Sequence, residues 1–160
     1  MSDEIAARLI EMGITLPQAA APAANYVPYV ISGNLLYISG QLPLEGGKVT
    51  VSGHLGKTVD VATGQRGAEL CAINILAQAK AALGGDLGRI RRVIKLNGFV
   101  ASAPDFVEQH LVINGASELI WDVLGKDGAG FHARSALGFV SLPVGFAVEV
   151  EGIFEVIGAA

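Results

Sequence analysis

The stretch from Asp60 to Leu83 constrains the fold most. Ala68, Cys71, Ala72, Ile75, Leu76, Ala79 and Leu83 recur at three- and four-residue spacing, which makes one face of a long helix, and Gly84-Gly85 stops it. Such a face needs an apolar surface to lie on, and strand patterns stand on both sides of it. Before it, Tyr29-Val30-Ile31 and Leu35 to Ser39 flank Ser32-Gly33-Asn34 and read as a hairpin, and Lys48 to Ser52 reads as a third, shorter strand after the Gly46-Gly47 turn. After it, Arg92 to Val100 reads as a buried strand. A second helix is expected from Pro104, with Ser102 as its cap, carrying Phe106, Val107, His110, Leu111, Ser117 and Trp121. Gly125 to Gly130 breaks the chain, and two strands, Ala133–Ser141 and Ala147–Val156, close it around Leu142-Pro143-Val144-Gly145. This order predicts an α+β domain with two helices on one face of a mixed sheet.

The opening is set apart. Ile5, Leu9, Ile10 and Met12 can form one helical stripe, and the loose stretch from Pro17 to Ala24 follows, so the chain divides into an N-terminal helix and linker (1–24) and a single domain (25–160). Hydrophobic residues make up 51% and charged residues only 16%, against about 25% charged in an average soluble domain. Mean hydropathy is +0.49, yet no apolar run reaches the roughly 18 residues of a membrane span. A chain this apolar is expected to cover surface by self-association. The net charge of −4 and the single basic cluster, Arg89-Ile90-Arg91-Arg92, argue against nucleic acid as a partner. Cys71 is the only cysteine, so no internal disulfide and no zinc spacing is available. Met1-Ser2-Asp3-Glu4 is not a secretory opening, and the expected location is the cytoplasm.

Three segments carry a resemblance. Val27-Pro28-Tyr29-Val30 is followed by Ile38-Ser39-Gly40-Gln41-Leu42-Pro43. Phe99 to Phe106 reads FVASAPDF. Ala133-Arg134-Ser135 precedes Leu142-Pro143 and Val148-Glu149-Val150-Glu151. In order and spacing these segments resemble the Rid (YjgF) family, also named endoribonuclease L-PSP or translation inhibitor. The resemblance implies a chorismate-mutase-like fold, a homotrimer with ligand clefts between subunits, and hydrolysis of reactive enamine or imine acids to 2-oxo acids and ammonia. It also implies that Arg134 holds the substrate carboxylate, that Glu149 orients or activates water, and that Tyr29, Ser39 and Gly40 line the cleft. His132 and Ala136 are further candidates beside Arg134.

The chemistry fits these roles. An imine is already electrophilic, so a site need only hold it and deliver water, and no metal or cofactor is called for. A guanidinium grips a carboxylate through a planar fork worth about 1.5–3 kcal/mol. Each residue also has a plainer reading: Arg134 as a rim charge, Glu149 as a solvated strand position, and Tyr29 as packing. Cys71 reads as core, His110 as a partly buried helix residue and His54 as a loop residue facing water. Three positions depart from the family pattern: His132 stands where Pro is usual, Ala136 where Cys is common, and Gly138 where a bulkier or charged residue is common. The small residues point to a roomier cleft and a larger acid. If the closing strands form a hairpin, Glu149 faces Gly138 or Phe139 and lies roughly 13–17 Å from Arg134. A bulge, a spanning water or longer ligand, or a meeting across subunits would have to close that gap. Three other functions stay open: a non-catalytic carboxylate sensor, an endoribonuclease-type translation inhibitor, and a chorismate mutase. The last would want more than one cation in its cleft.

Overall fold

The computed structural model describes residues 2–22, 24–126 and 128–158. Met1 in the acidic opening, Ala23 in the loose stretch and Asp127 in the Gly125–Gly130 break lie outside the described residues, as do the last two residues. The elements run α1 (Ser2–Glu11), β1 (Tyr29–Ser32), β2 (Leu35–Gln41), β3 (Leu44–Glu45), β4 (Lys48–Val49), α2 (Val61–Ala82), β5 (Ile90–Ala101), α3 (Gln109–Leu124), β6 (Ala133–Phe139) and β7 (Val148–Val156). Five strands form one sheet in the order β1-β2-β7-β5-β6, mixed because only the β5–β6 pair is parallel. The helices α2 and α3 lie on one face of it, as the order of elements predicts. No helix among the described residues is long and apolar enough to cross a membrane.

Local signals set the first half. The β1–β2 hairpin turns at Gly33-Asn34 with Ser32 opposite Leu35. The β3–β4 ribbon turns at Gly46 and Gly47, both at positive φ (58° and 76°), a geometry that glycine adopts without a Cβ penalty. The expected third strand is shorter than Lys48–Ser52 and belongs to this separate ribbon, because Ser52 already bridges to Phe146. In α2, the Asp60 carboxylate accepts the Thr63 N–H at 2.7 Å and caps the helix. Every residue of its expected apolar face is buried.

Two expectations fail for non-local reasons. The closing strands are not a hairpin: β5 lies between β6 and β7. In β7, alternate residues Val148, Val150, Gly152, Phe154 and Val156 are all buried, a face that belongs in the middle of a sheet. In β6, no residue is fully buried and four of the seven are exposed, which suits an edge. The helix α3 begins at Gln109, not at Pro104. The Ser102 hydroxyl donates to the Val100 carbonyl, Ser102 N–H to Phe139, and Ala103 N–H to Leu55, so this segment is still tied into the sheet. The buried face of α3 is therefore Val112, Ile113, Ala116, Leu119, Ile120 and Val123, while Val107 and His110 are exposed.

In α1, Ile5 and Leu9 join the common core, whereas Ile10 is 77% exposed and Met12 faces outward. The Arg8 guanidinium donates to the Val123 carbonyl at 3.2 Å, fixing α1 on the end of α3.

The two long helices meet at Gly115, where a Cβ would overlap the backbone carbonyl of Gln65. The Gln65 side chain in turn donates to the Leu111 carbonyl at 2.9 Å. Backbone cannot swing aside as a side-chain tip can, so Gly115→Ala is expected to push α3 off α2 and cost about 1–3 kcal/mol. Thermal unfolding should show a midpoint lowered by roughly 3–10 °C; an unchanged midpoint would contradict this close crossing.

Candidate functional site

Arg134 is the second residue of β6, paired with Leu96 of β5 on the helix-covered face. Its half-buried guanidinium lies against α3. Nη1 donates to Asn114 Oδ1 at 2.9 Å and to Ser117 Oγ at 3.1 Å, and Nη2 donates to the His110 carbonyl at 3.1 Å. A guanidinium has five N–H groups. Among the described residues, three are taken and two are left, Nε–H and one Nη2–H. These two nitrogens form the side-on fork of the group, the geometry that grips a carboxylate. Burial lowers the Arg134 pKa, but an arginine stays charged near neutrality.

A second chain of hydrogen bonds braces the first. Ser117, which is buried, lies 2.9 Å from His132 Nε2, and His132 Nδ1 lies 2.7 Å from the Gly130 carbonyl. The carbonyl can only accept, so Nδ1 carries the proton in the neutral ring. Nε2 then accepts the Ser117 hydroxyl, whose oxygen receives Arg134. Burial lowers the His132 pKa, and the charge of Arg134 adds to that, which favours this neutral tautomer. His132 therefore offers no free ring nitrogen to a ligand. Ala136 follows Arg134 on the same strand face and is half-buried against the core, and Gly138 comes next.

The other nominated residues gather elsewhere. The β2–β7 register shifts between Ile38 and Gln41, and Gly40 sits in that irregularity beneath Glu149. A Cβ on Gly40 would overlap the Glu149 carboxylate, so the glycine makes room for it. The Ser39 hydroxyl donates to the Pro28 carbonyl at 3.0 Å. Tyr29 packs against the core, and with Ser39 it lines a recess of about 240 Å³ that Tyr37 and Glu151 share. Burial raises the Glu149 pKa, and the neighbouring Glu151 raises it further.

The two groups do not meet within one chain. Arg134 is level with Leu96 and Glu149 with Phe99 on the intervening strand. Three residues separate those levels, about 10 Å along the strand. The odd offset puts the side chains on opposite faces of the sheet, Arg134 under the helices and Glu149 on the uncovered side. The hairpin estimate thus gives way to a separation through the sheet, with one intervening strand between the two residues.

The remaining residues resolve plainly. Cys71 is fully buried, and burial pushes its thiol pKa well up, so it is core. His110 is exposed and serves Arg134 through its backbone carbonyl only. His54 does not simply face water, since its Nε2 donates to the Val140 carbonyl at 2.9 Å. Sequence reasoning missed Asn114 and the role of Ser117. Two polar side chains three residues apart, set among the buried Val112, Ile113 and Ala116, were the available signal.

The profile of the family described as "YjgF/chorismate mutase-like, putative endoribonuclease" matches residues 6–150. Atu1372 of Agrobacterium tumefaciens, a crystal structure of unknown function, is 65% identical with a TM-score of 0.90, covering 97% of this chain and 94% of that one. A "putative endoribonuclease" from Shewanella oneidensis MR-1 is 33% identical with a TM-score of 0.90, covering 95% and 99%. Protein TCP17 of Trypanosoma cruzi is 51% identical over 154 residues, 96% of this chain and 95% of that protein. On the profile match and these identities, the chain belongs to the YjgF (Rid) family.

Proposed function

We propose that this protein hydrolyses 2-enamine and 2-imine acids to 2-oxo acids and ammonia, at a site completed between protomers of a homotrimer. The observation that carries this reading is the Arg134 guanidinium, with three donors held by α3 and the Nε–H and one Nη2–H left for a planar anion. The substrate carboxylate binds that fork, which directs C2 toward Ala136. The neighbouring protomer supplies Tyr29, Ser39, Gly40 and Glu149. The uncovered sheet face supports this assembly, since Val30, Tyr37, Leu137 and Phe139 are all exposed on it.

In the reaction, an enamine takes a proton at C3 and becomes the imine. Water then adds through its oxygen to C2, Glu149 accepting the proton that leaves. The same proton passes to nitrogen, giving a carbinolamine; its hydroxyl proton then moves to nitrogen as the C=O bond forms and the C–N bond breaks, and the 2-oxo acid and ammonia depart. Holding water and imine together contributes through effective molarity. The raised pKa of Glu149 makes its carboxylate a better base than an ordinary one. Ribonuclease action, suggested by relatives' names, finds less support: His132 has both ring nitrogens committed, and the chain is acidic with few clustered cations.

Ammonia release from freshly generated imino acids tests the proposal. Arg134→Ala should raise KM roughly 10- to 150-fold by losing a charge-assisted pair, and Arg134→Lys should restore little, because an ammonium lacks the fork. Ligand binding without any acceleration over buffer would favour a carboxylate sensor instead. The pH profile tests the base. Glu149 must be ionised, so kcat/KM should fall as pH drops through an apparent pKa above the usual carboxylate value, and Glu149→Gln should abolish that limb. A limb that persists in Glu149→Gln assigns the base elsewhere.

A further inference from the structure

Toward the C-terminal end of β6, beyond Arg134, lies a cavity of about 400 Å³ with mostly apolar walls. Pro104 and Phe106 line it from one side and Val140 from the other. Gly138 lies at its base: a Cβ there would come within 2.6 Å of Gln109 Nε2 and would narrow the space. The Gln109 amide is itself held, donating to the Phe106 carbonyl at 2.8 Å and reaching Ser102 Oγ at 3.4 Å.

This cavity adjoins the anchor. The carbonyl that takes Arg134 Nη2 belongs to His110, and the preceding residue, Gln109, lines the cavity. Along β6, only Ala136 separates Arg134 from Gly138 on that strand face. A ligand whose carboxylate sits on the fork, and whose substituent runs along β6, crosses two small residues and enters an apolar space. No carboxylate side chain lines the space among the described residues, and its one cation, Lys57, has no ion-pair partner there. The rest of the lining carries no charge, its surface is mostly apolar, and a methyl group would leave most of the space empty.

We infer that this cavity is the side-chain pocket of the site, and that the preferred acids carry branched or aromatic apolar side chains rather than a methyl. The inference rests on Arg134 as carboxylate anchor, and Gly138 is then the specificity-determining position. An apolar pocket discriminates by burying surface, about one order of magnitude for each of the first few carbons.

The test compares kcat/KM for imino acids generated from alanine, leucine and phenylalanine by an amino-acid oxidase. The leucine- and phenylalanine-derived substrates should be favoured by at least about 10-fold. Gly138→Val should remove that advantage, cutting the leucine- and phenylalanine-derived substrates at least about 10-fold more than the alanine-derived one. Ala103→Leu fills the cavity from its other wall and should do the same, which guards against misfolding of one variant. Equal efficiencies in the unaltered protein, or variants that depress all three substrates alike, overturn the inference. Calorimetric binding of pyruvate, 4-methyl-2-oxopentanoate and phenylpyruvate separates this pocket from the hydrolytic reading. If no imine is turned over but the bulky oxo acids bind tighter and Gly138→Val erases the difference, the pocket stands and hydrolysis falls. If binding shows no size preference, the pocket falls.

Discussion

The site depends on one helix lying close enough to an edge strand to hold a charge. The α3 helix crosses α2 at Gly115, where there is no room for a methyl group, and that crossing fixes the height of α3 above β6. At that height Asn114, Ser117 and the His110 carbonyl all reach the Arg134 guanidinium. A half-buried cation needs such partners, because desolvation without hydrogen bonds is costly. The partners satisfy the charge without consuming it: among the described residues three donors are tied down, and two remain. His132 extends the same logic by a further step, since a neutral ring fixed by Gly130 orients the Ser117 hydroxyl so that its oxygen faces Arg134.

The sheet then divides the chemistry. Everything around Arg134 lies under the helices, while Glu149, with Gly40 beneath it, lies on the bare side. One protomer cannot bring Arg134 and Glu149 together, since no side chain passes through a sheet; the proposed function makes each of them half of a site. The bare face also carries exposed aromatic and branched side chains, and Phe99 and Phe139 stack edge to face there at 5.6 Å. The proposed assembly would cover this face with a second copy of the chain.

Much of this was legible in the sequence where the signals are local. The α2 face, its Asp60 start and its double-glycine stop, and the two glycine turns all follow from spacing and backbone chemistry within a few residues. The errors share a different origin. Ser102-Ala103-Pro104 has the composition of a helix start, yet its backbone bonds run to Leu55 and Phe139, far along the chain. The β6–β7 connection is short enough for a hairpin, but the wholly buried face of β7 draws it into the middle of the sheet. Arg134 drew notice through the Ala133-Arg134-Ser135 motif, whereas Asn114 and Ser117 did not, because nothing local ties α3 to β6. His132, read as a possible ligand contact, became a brace for the same reason.

Subunit complementation tests the central claim most directly, namely that one chain supplies Arg134 and its neighbour Glu149. Arg134→Ala and Glu149→Gln proteins, each nearly inactive alone, are mixed in equal amounts, allowed to exchange subunits, and assayed for ammonia release from imino acids. Random exchange between chains leaves about one site in four with both residues intact, so the mixture should recover roughly a quarter of the activity of the unaltered protein. Recovery no greater than the sum of the two variants, with exchange verified by mass spectrometry, would mean that both residues act within one chain or that one of them does not act at all.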